Sequence, residues 1–137
     1  MGFSNVVLEL AKACTNNKIP IVGHNMMYDI IYLYNQFIGP LPDNYEIFIK
    51  EWFSRFPVTF DTKVLSFKAE YFGKTILGKV FEKCEEDLRL KSILAFNFDV
   101  ENEFTSYTGS ELLQHYHEAA YDAYMTGYVF AKILKYK

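Results

Sequence analysis

Two short β-prone runs lie between segments of helical periodicity, and each ends in a polar cluster. Ile19-Pro20-Ile21-Val22 is apolar and β-branched, as a buried strand is, with a proline near its start. Gly23 closes it, and His24-Asn25 follow. Val58-Thr59-Phe60 is the second run, ending at Asp61-Thr62-Lys63. Ahead of the first run, Phe3, Val6, Val7, Leu10 and Cys14 recur at helical spacing until Thr15-Asn16-Asn17. Between the runs, Ile30, Leu33, Tyr34 and Phe37 stripe a second helix with Asp29 in its first turn, where the helix N-terminus favours a carboxylate. After the break at Gly39-Pro40-Leu41-Pro42, Tyr45, Phe48, Ile49, Trp52 and Phe53 pattern a third helix that stops before Pro57. Strands alternating with helices define the α/β class. Open α/β sheets gather ligands and catalytic groups at strand ends, which directs attention to the two polar clusters.

The second half is more helical. Leu77, Val80, Phe81, Cys84 and Leu88 predict an amphipathic helix from about Ile76 to Leu88, with Lys79, Glu82, Lys83, Glu85 and Glu86 as its solvated face. Ile93 to Phe98 has strand character, and Asp99 to Glu103 reads as an acidic loop. The stretch QHYHEAAYDAYMTG, Gln114 to Gly127, opens the last helix. Asp122 shares a helical row with Met125, Val129 and Ile133, where an unpaired charge costs several kcal/mol. A bound cation is one way to compensate that charge, and His117, five residues upstream, would hang over the same spot. The alternative is an Asp122 that faces water at the margin of the stripe, beside an ordinary surface histidine. The row Ala120, Ala123, Gly127 and Ala131 would let this helix approach the sheet closely.

At 137 residues the chain has the size of one domain with one core, and no internal boundary is expected. Its net charge of -3 exerts no global pull on nucleic acid, although an acidic site holding cations reverses the local sign. The 13 Phe and 11 Tyr predict thick aromatic packing and stacking surfaces. Cys14 and Cys84 have no metal-ligand spacing and read as reduced, buried thiols of an intracellular protein. No run approaches the roughly 20 apolar residues of a membrane span, so a soluble domain without a membrane partner is expected.

GHNMMYD (Gly23 to Asp29), FDTK (Phe60 to Lys63) and HEAAYDAYMTG (His117 to Gly127) resemble, in order, the signature blocks of the poly(A)-specific ribonuclease (PARN-like) deadenylases, members of the DEDDh exonuclease superfamily. YNQFIGPLPDN and RFPVTFDTK extend the similarity over nearly the whole chain, and it weakens between about Gly73 and Asn102. The resemblance implies an α/β, ribonuclease H-like nuclease fold and removal of nucleotides from an RNA 3′ end, adenosine preferred, by two-metal hydrolysis. Asp29 then matches the second exonuclease motif and His117 with Asp122 the third. Asp29 and Asp122 would be ligands of two divalent cations, Mg²⁺ or Mn²⁺, and His117 the general base. Carboxylate oxygens suit such hard ions, and an imidazole suits proton removal from water. Beside them, Asn25 can hydrogen-bond a base or sugar, Tyr28 can stack on a base, and Lys63 can meet a phosphate. The plainer readings are a core aromatic for Tyr28 and a surface lysine for Lys63. Asp61 either caps the turn after its strand or has another role, and stays open.

One departure stands out. The family's first Asp-x-Glu motif belongs upstream of everything in residues 1–137. Asp99-Val100-Glu101 has the right letters but falls in the wrong order, and reads as a decoy. The resemblance therefore implies the C-terminal portion of a nuclease domain, an incomplete fold without its N-terminal strands. Such a portion holds metal weakly, has little activity alone and exposes a sheet edge that invites a homodimer or a partner segment. Its natural partners would be an RNA 3′ end and the N-terminal half of the domain, in nucleus or cytoplasm. The competing reading is a non-catalytic RNA- or protein-binding module on a degenerate nuclease fold. A further one is another metal-dependent phosphohydrolase.

Overall fold

The computed structural model describes residues 2–73, 75–93 and 118–136. They fall into two compact units, Met1–Asp61 and Thr62–Lys137, each with a hydrophobic cluster of its own where chain length suggested a single core.

In the first unit, helix α1 (Phe3–Asn17) ends where Lys18 turns left-handed at φ 54°. Its buried residues are Val7, Ala11 and Cys14, one stripe at i, i+4 and i+7. Phe3, Val6 and Leu10, expected to face inward, are exposed. The reason is that α1 packs along one flank only, against helices α2 (Met27–Phe37) and α3 (Tyr45–Arg55), and the other apolar row lies just beyond that contact. Asn44 caps α3, its side-chain oxygen accepting from the N–H of Glu46 at 2.7 Å and of Ile47 at 3.3 Å. Such a cap contributes about 1 kcal/mol. Helix α2 buries Ile30 and Tyr34, and α3 buries Phe48 and Trp52. The Tyr34 hydroxyl donates to Glu51, which with burial raises the phenol above its ordinary pKa and ties the two helices.

Strands β1 (Ile21–Gly23) and β2 (Thr59–Asp61) pair in parallel, with Ile21 opposite Thr59, Val22 opposite Phe60 and Gly23 opposite Asp61. Parallel strands need a long crossover, which α2 and α3 supply. Trp52 locks that crossover to the sheet: its indole N–H donates to the Thr59 hydroxyl at 3.2 Å, and that hydroxyl donates to the Phe56 carbonyl at 3.0 Å. Because both partners are buried or half-buried, the anchor holds the end of α3 at a fixed distance from β2.

The second unit is helical. Helix α4 (Thr62–Lys68) follows β2 directly, where the sequence suggested only a polar strand end. A short 3₁₀ turn covers Glu70–Phe72. The amphipathic helix expected over Ile76 to Leu88 is two elements, α5 (Leu77–Glu86) and α6 (Leu88–Ile93), broken at extended Asp87. Leu88 is consequently 81% exposed instead of buried, while Val80, Phe81 and Cys84 point inward as the periodicity requires. Ile93 is helical, not the start of a strand; residues 94–98 and the decoy Asp99-Val100-Glu101 lie outside the described residues.

Helix α7 (Ala119–Tyr136) buries Tyr121, Met125, Tyr128, Val129 and Ile133 against α5, α6 and α4. The Ala120, Ala123 and Gly127 row is exposed on the opposite side of the helix, with Ala131 half-buried. The bulky face wins because it carries far more apolar area. Lys132 is buried as well: its ammonium donates to the Leu90 carbonyl at 3.0 Å and lies over the Tyr128 ring at 5.0 Å. Acid–hydroxyl pairs tie the periphery. Tyr128 donates to Glu85, and Tyr71 donates to Asp87, which holds the Asp87 carboxyl below the usual carboxylate range. Among the described residues no helix is long and apolar enough to cross a membrane.

Both cysteines are free and buried. Burial pushes the Cys84 thiol up to about 12, with Lys132 acting in the opposite direction. The folded pKa is raised, so the thiol's contribution to stability is complete below its ordinary value and is lost as pH rises toward about 12. Under mildly alkaline native conditions Cys84 is therefore expected to resist a disulfide reagent, and to react once urea unfolds the chain. Rapid labelling of the native protein at Cys84 would show that the thiol is not sealed in this core.

Candidate active site

The turn from β1 into α2 is built by three residues whose chemistry differs. Gly23 ends the strand where a Cβ would stand 2.7 Å from the Met26 Cβ and 2.8 Å from its sulfur, so the backbone can turn this tightly only without a side chain. Asn25 takes the left-handed conformation at φ 57°, which asparagine tolerates better than most residues. Asp61, paired opposite Gly23 at the end of β2, reaches across to both following amides. Its Oδ1 accepts from the Asn25 N–H at 2.9 Å and its Oδ2 from the Met26 N–H at 3.0 Å. The residue whose role the sequence left open thus braces the neighbouring strand's turn.

That turn delivers α2, whose backbone ladder starts with the Ile30 N–H donating to the Met26 carbonyl at 3.0 Å. Asp29 sits in the first turn, exposed, and its carboxylate makes no hydrogen bond or ion pair with the described residues. Tyr28 is 72% exposed, which rules out the core-aromatic alternative in this unit, and Tyr32 one turn on is exposed as well. Asn25 is exposed too. The structure therefore brings Asn25, Tyr28 and Asp29 to one end of one helix, beside the C-terminal ends of two parallel strands.

In the second unit Lys63 lies exposed in the first turn of α4. Asp122 lies in the first turn of α7, its N–H donating to the Glu118 carbonyl at 2.9 Å. Its side chain is half-buried, between the buried Met125, Val129 and Ile133 row and solvent, and has no protein partner among the described residues. His117 precedes α7 by two residues and lies outside the described residues.

Asp29 and Asp122 are hard oxygen donors whose charge no described residue neutralises, which suits them to divalent cations. Each would be one member of a ligand set: among the described residues no three acidic, histidine or cysteine side chains cluster to hold an ion.

The sequence profile described as "CAF1 family ribonuclease" matches residues 1–130. Among similar proteins, the "Pre-piRNA 3′-exonuclease trimmer" of Bombyx mori is 37% identical over 136 residues, covering 97% of this chain and 25% of that protein. The "Poly(A)-specific ribonuclease PNLDC1" of Homo sapiens is 34% identical, covering 96% and 25%. The "Poly(A)-specific ribonuclease PARN" of Danio rerio is 32% identical over 137 residues, covering 99% and 20%. The chain thus spans a fifth to a quarter of the length of these relatives. A helix-rich chain with a small parallel sheet agrees with part of a ribonuclease H-like nuclease fold.

The turn's geometry makes a direct prediction. Gly23→Ala puts a methyl group against the Met26 Cβ, which is not the yielding end of a side chain. It is expected to cost about 1–3 kcal/mol in urea denaturation. An unchanged unfolding midpoint would show that the turn has room to relax.

Proposed function

This chain belongs to the CAF1 family of ribonucleases, and we propose that it is part of a 3′-to-5′ exoribonuclease site that trims RNA 3′ ends, poly(A)-like ends preferred. The observation that carries the reading is the pair of accessible carboxylates, Asp29 and Asp122, each in the first turn of its helix and each without a protein partner among the described residues. Helix N-termini hold such charges at little cost.

Asp29 and Asp122 would hold two divalent cations, Mg²⁺ or Mn²⁺, together with further carboxylates. Bound there, the ions supply activation of the attacking water and charge stabilisation at the leaving oxygen. His117 takes the proton of that water through its imidazole nitrogen. Asn25 hydrogen-bonds the terminal nucleotide, Tyr28 offers its exposed face to a base, and Lys63 meets a phosphate as a point charge.

The test is trimming of a 5′-labelled oligoadenylate, with and without Mg²⁺, by this chain and by the longest reading frame that contains it. The longer protein is expected to shorten the RNA from its 3′ end only with Mg²⁺, and this chain alone to do so weakly or not at all. Asp29→Asn and Asp122→Asn should each abolish trimming, and His117→Ala should slow it by about 10²–10⁴-fold. RNA binding without cleavage, indifferent to Mg²⁺ and to Asp122→Asn, would replace the nuclease reading with a non-catalytic binding module.

A further inference from the structure

Asp61 ends β2 as a carboxylate, yet both of its oxygens are directed to backbone amides of the turn after β1. A carboxylate accepting N–H groups makes charge-assisted hydrogen bonds, stronger than neutral ones. Here they fall on consecutive residues, and the first of these, Asn25, is the one held in the left-handed region. The register keeps the brace in place, because Asp61 is paired opposite Gly23, two residues before Asn25. Gly23 in turn lets Met26 close over the strand end. The Asp61 brace and the close approach of Met26 to Gly23 thus hold the turn on both sides of Asn25, whose own side chain is exposed.

We propose that Asp61 is a positioning residue for RNA. By fixing the Asn25 backbone it presents the Asn25 carboxamide to the 3′-terminal nucleotide in one orientation, and it touches neither the RNA nor a cation itself. The proposal rests on the RNA 3′-end reading given above. It implies that Asp61 contributes to RNA affinity only through Asn25, a dependence that a purely structural residue would not show.

A double-mutant cycle on the longest reading frame containing the chain tests this. The dissociation constant for a labelled oligoadenylate is measured without divalent cations, so that no cleavage competes, for the wild type, Asp61→Ala, Asn25→Gly and the double variant. Glycine is chosen at position 25 because it keeps the left-handed backbone while removing the carboxamide. Asp61→Ala and Asn25→Gly are each expected to weaken binding by about three- to tenfold. The double variant should bind no more weakly than Asn25→Gly alone, and amide exchange at Asn25 and Met26 should quicken in Asp61→Ala. If Asp61→Ala does not fold, Asp61→Asn, which keeps one carbonyl acceptor, takes its place and is expected to give a smaller loss with the same dependence on Asn25. Additive losses, or wild-type affinity in a folded Asp61 variant, would overturn the positioning role. A wild type that binds no RNA would overturn the RNA reading and this proposal with it, so the two failures are told apart by the control.

Discussion

Parallel pairing of β1 with β2 sets Gly23 level with Asp61, and the order of the first unit depends on that register. A slip of one residue would move the Asp61 carboxylate along the sheet by about 3.3 Å and turn it to the opposite face. The amides of Asn25 and Met26 would then lose their acceptor. With the register intact, β1 turns sharply at Gly23, the chain passes through one left-handed residue, and α2 starts with Asp29 in its first turn. The crossover that makes parallel pairing feasible is held from the other side by Trp52, through its hydrogen bond to Thr59 on β2. The strand ends are thus fixed by polar contacts while the helices behind them are fixed by apolar ones.

The second unit uses a different economy. Its core is a single bulky face of α7 laid on short helices, with rings of Phe81, Tyr121, Tyr124 and Tyr128 meeting at centroid separations of 5.2 to 6.3 Å. The hydroxyls and ammonium that come with those side chains are satisfied at its margin and interior, Tyr128 by Glu85 and Lys132 by Leu90. An unpaired buried ammonium would be costly, and the carbonyl at the turn of α6 is what offsets it. Asp122 stands at the solvent end of this face with no such partner among the described residues, in contrast to the charged groups around it.

Much of this was legible in the residues. The apolar stripes of α2 and α3, the inward set Val80, Phe81 and Cys84, and the two strands all follow from periodicity, because burial on one face imposes period 3.6 or a short apolar run. Asp29 at a helix start was visible for the same reason. Less visible was which of two adjacent apolar rows on α1 would be covered. Phe3, Val6 and Leu10 are as apolar as Val7, Ala11 and Cys14, and only the neighbours decide. On α7 the row that carries more apolar area is the buried one, while Ala120, Ala123 and Gly127 are exposed. The break at Asp87, which exposes Leu88, carries no proline or glycine to announce it.

Asp61 separates the two kinds of information most clearly. From residues alone one can say that an acid ends a β-prone run and that asparagine and glycine prepare a turn elsewhere, because these are local conformational preferences of single residues. That the acid serves the turn 36 residues away is a fact of strand order and register. The sequence by itself determined α1, α2, α3, α7 and the two strands, the family, and the acids at the starts of α2 and α7. Tertiary structure alone decided which apolar rows are buried and which amides the Asp61 carboxylate reaches, since both depend on neighbours that are distant along the chain.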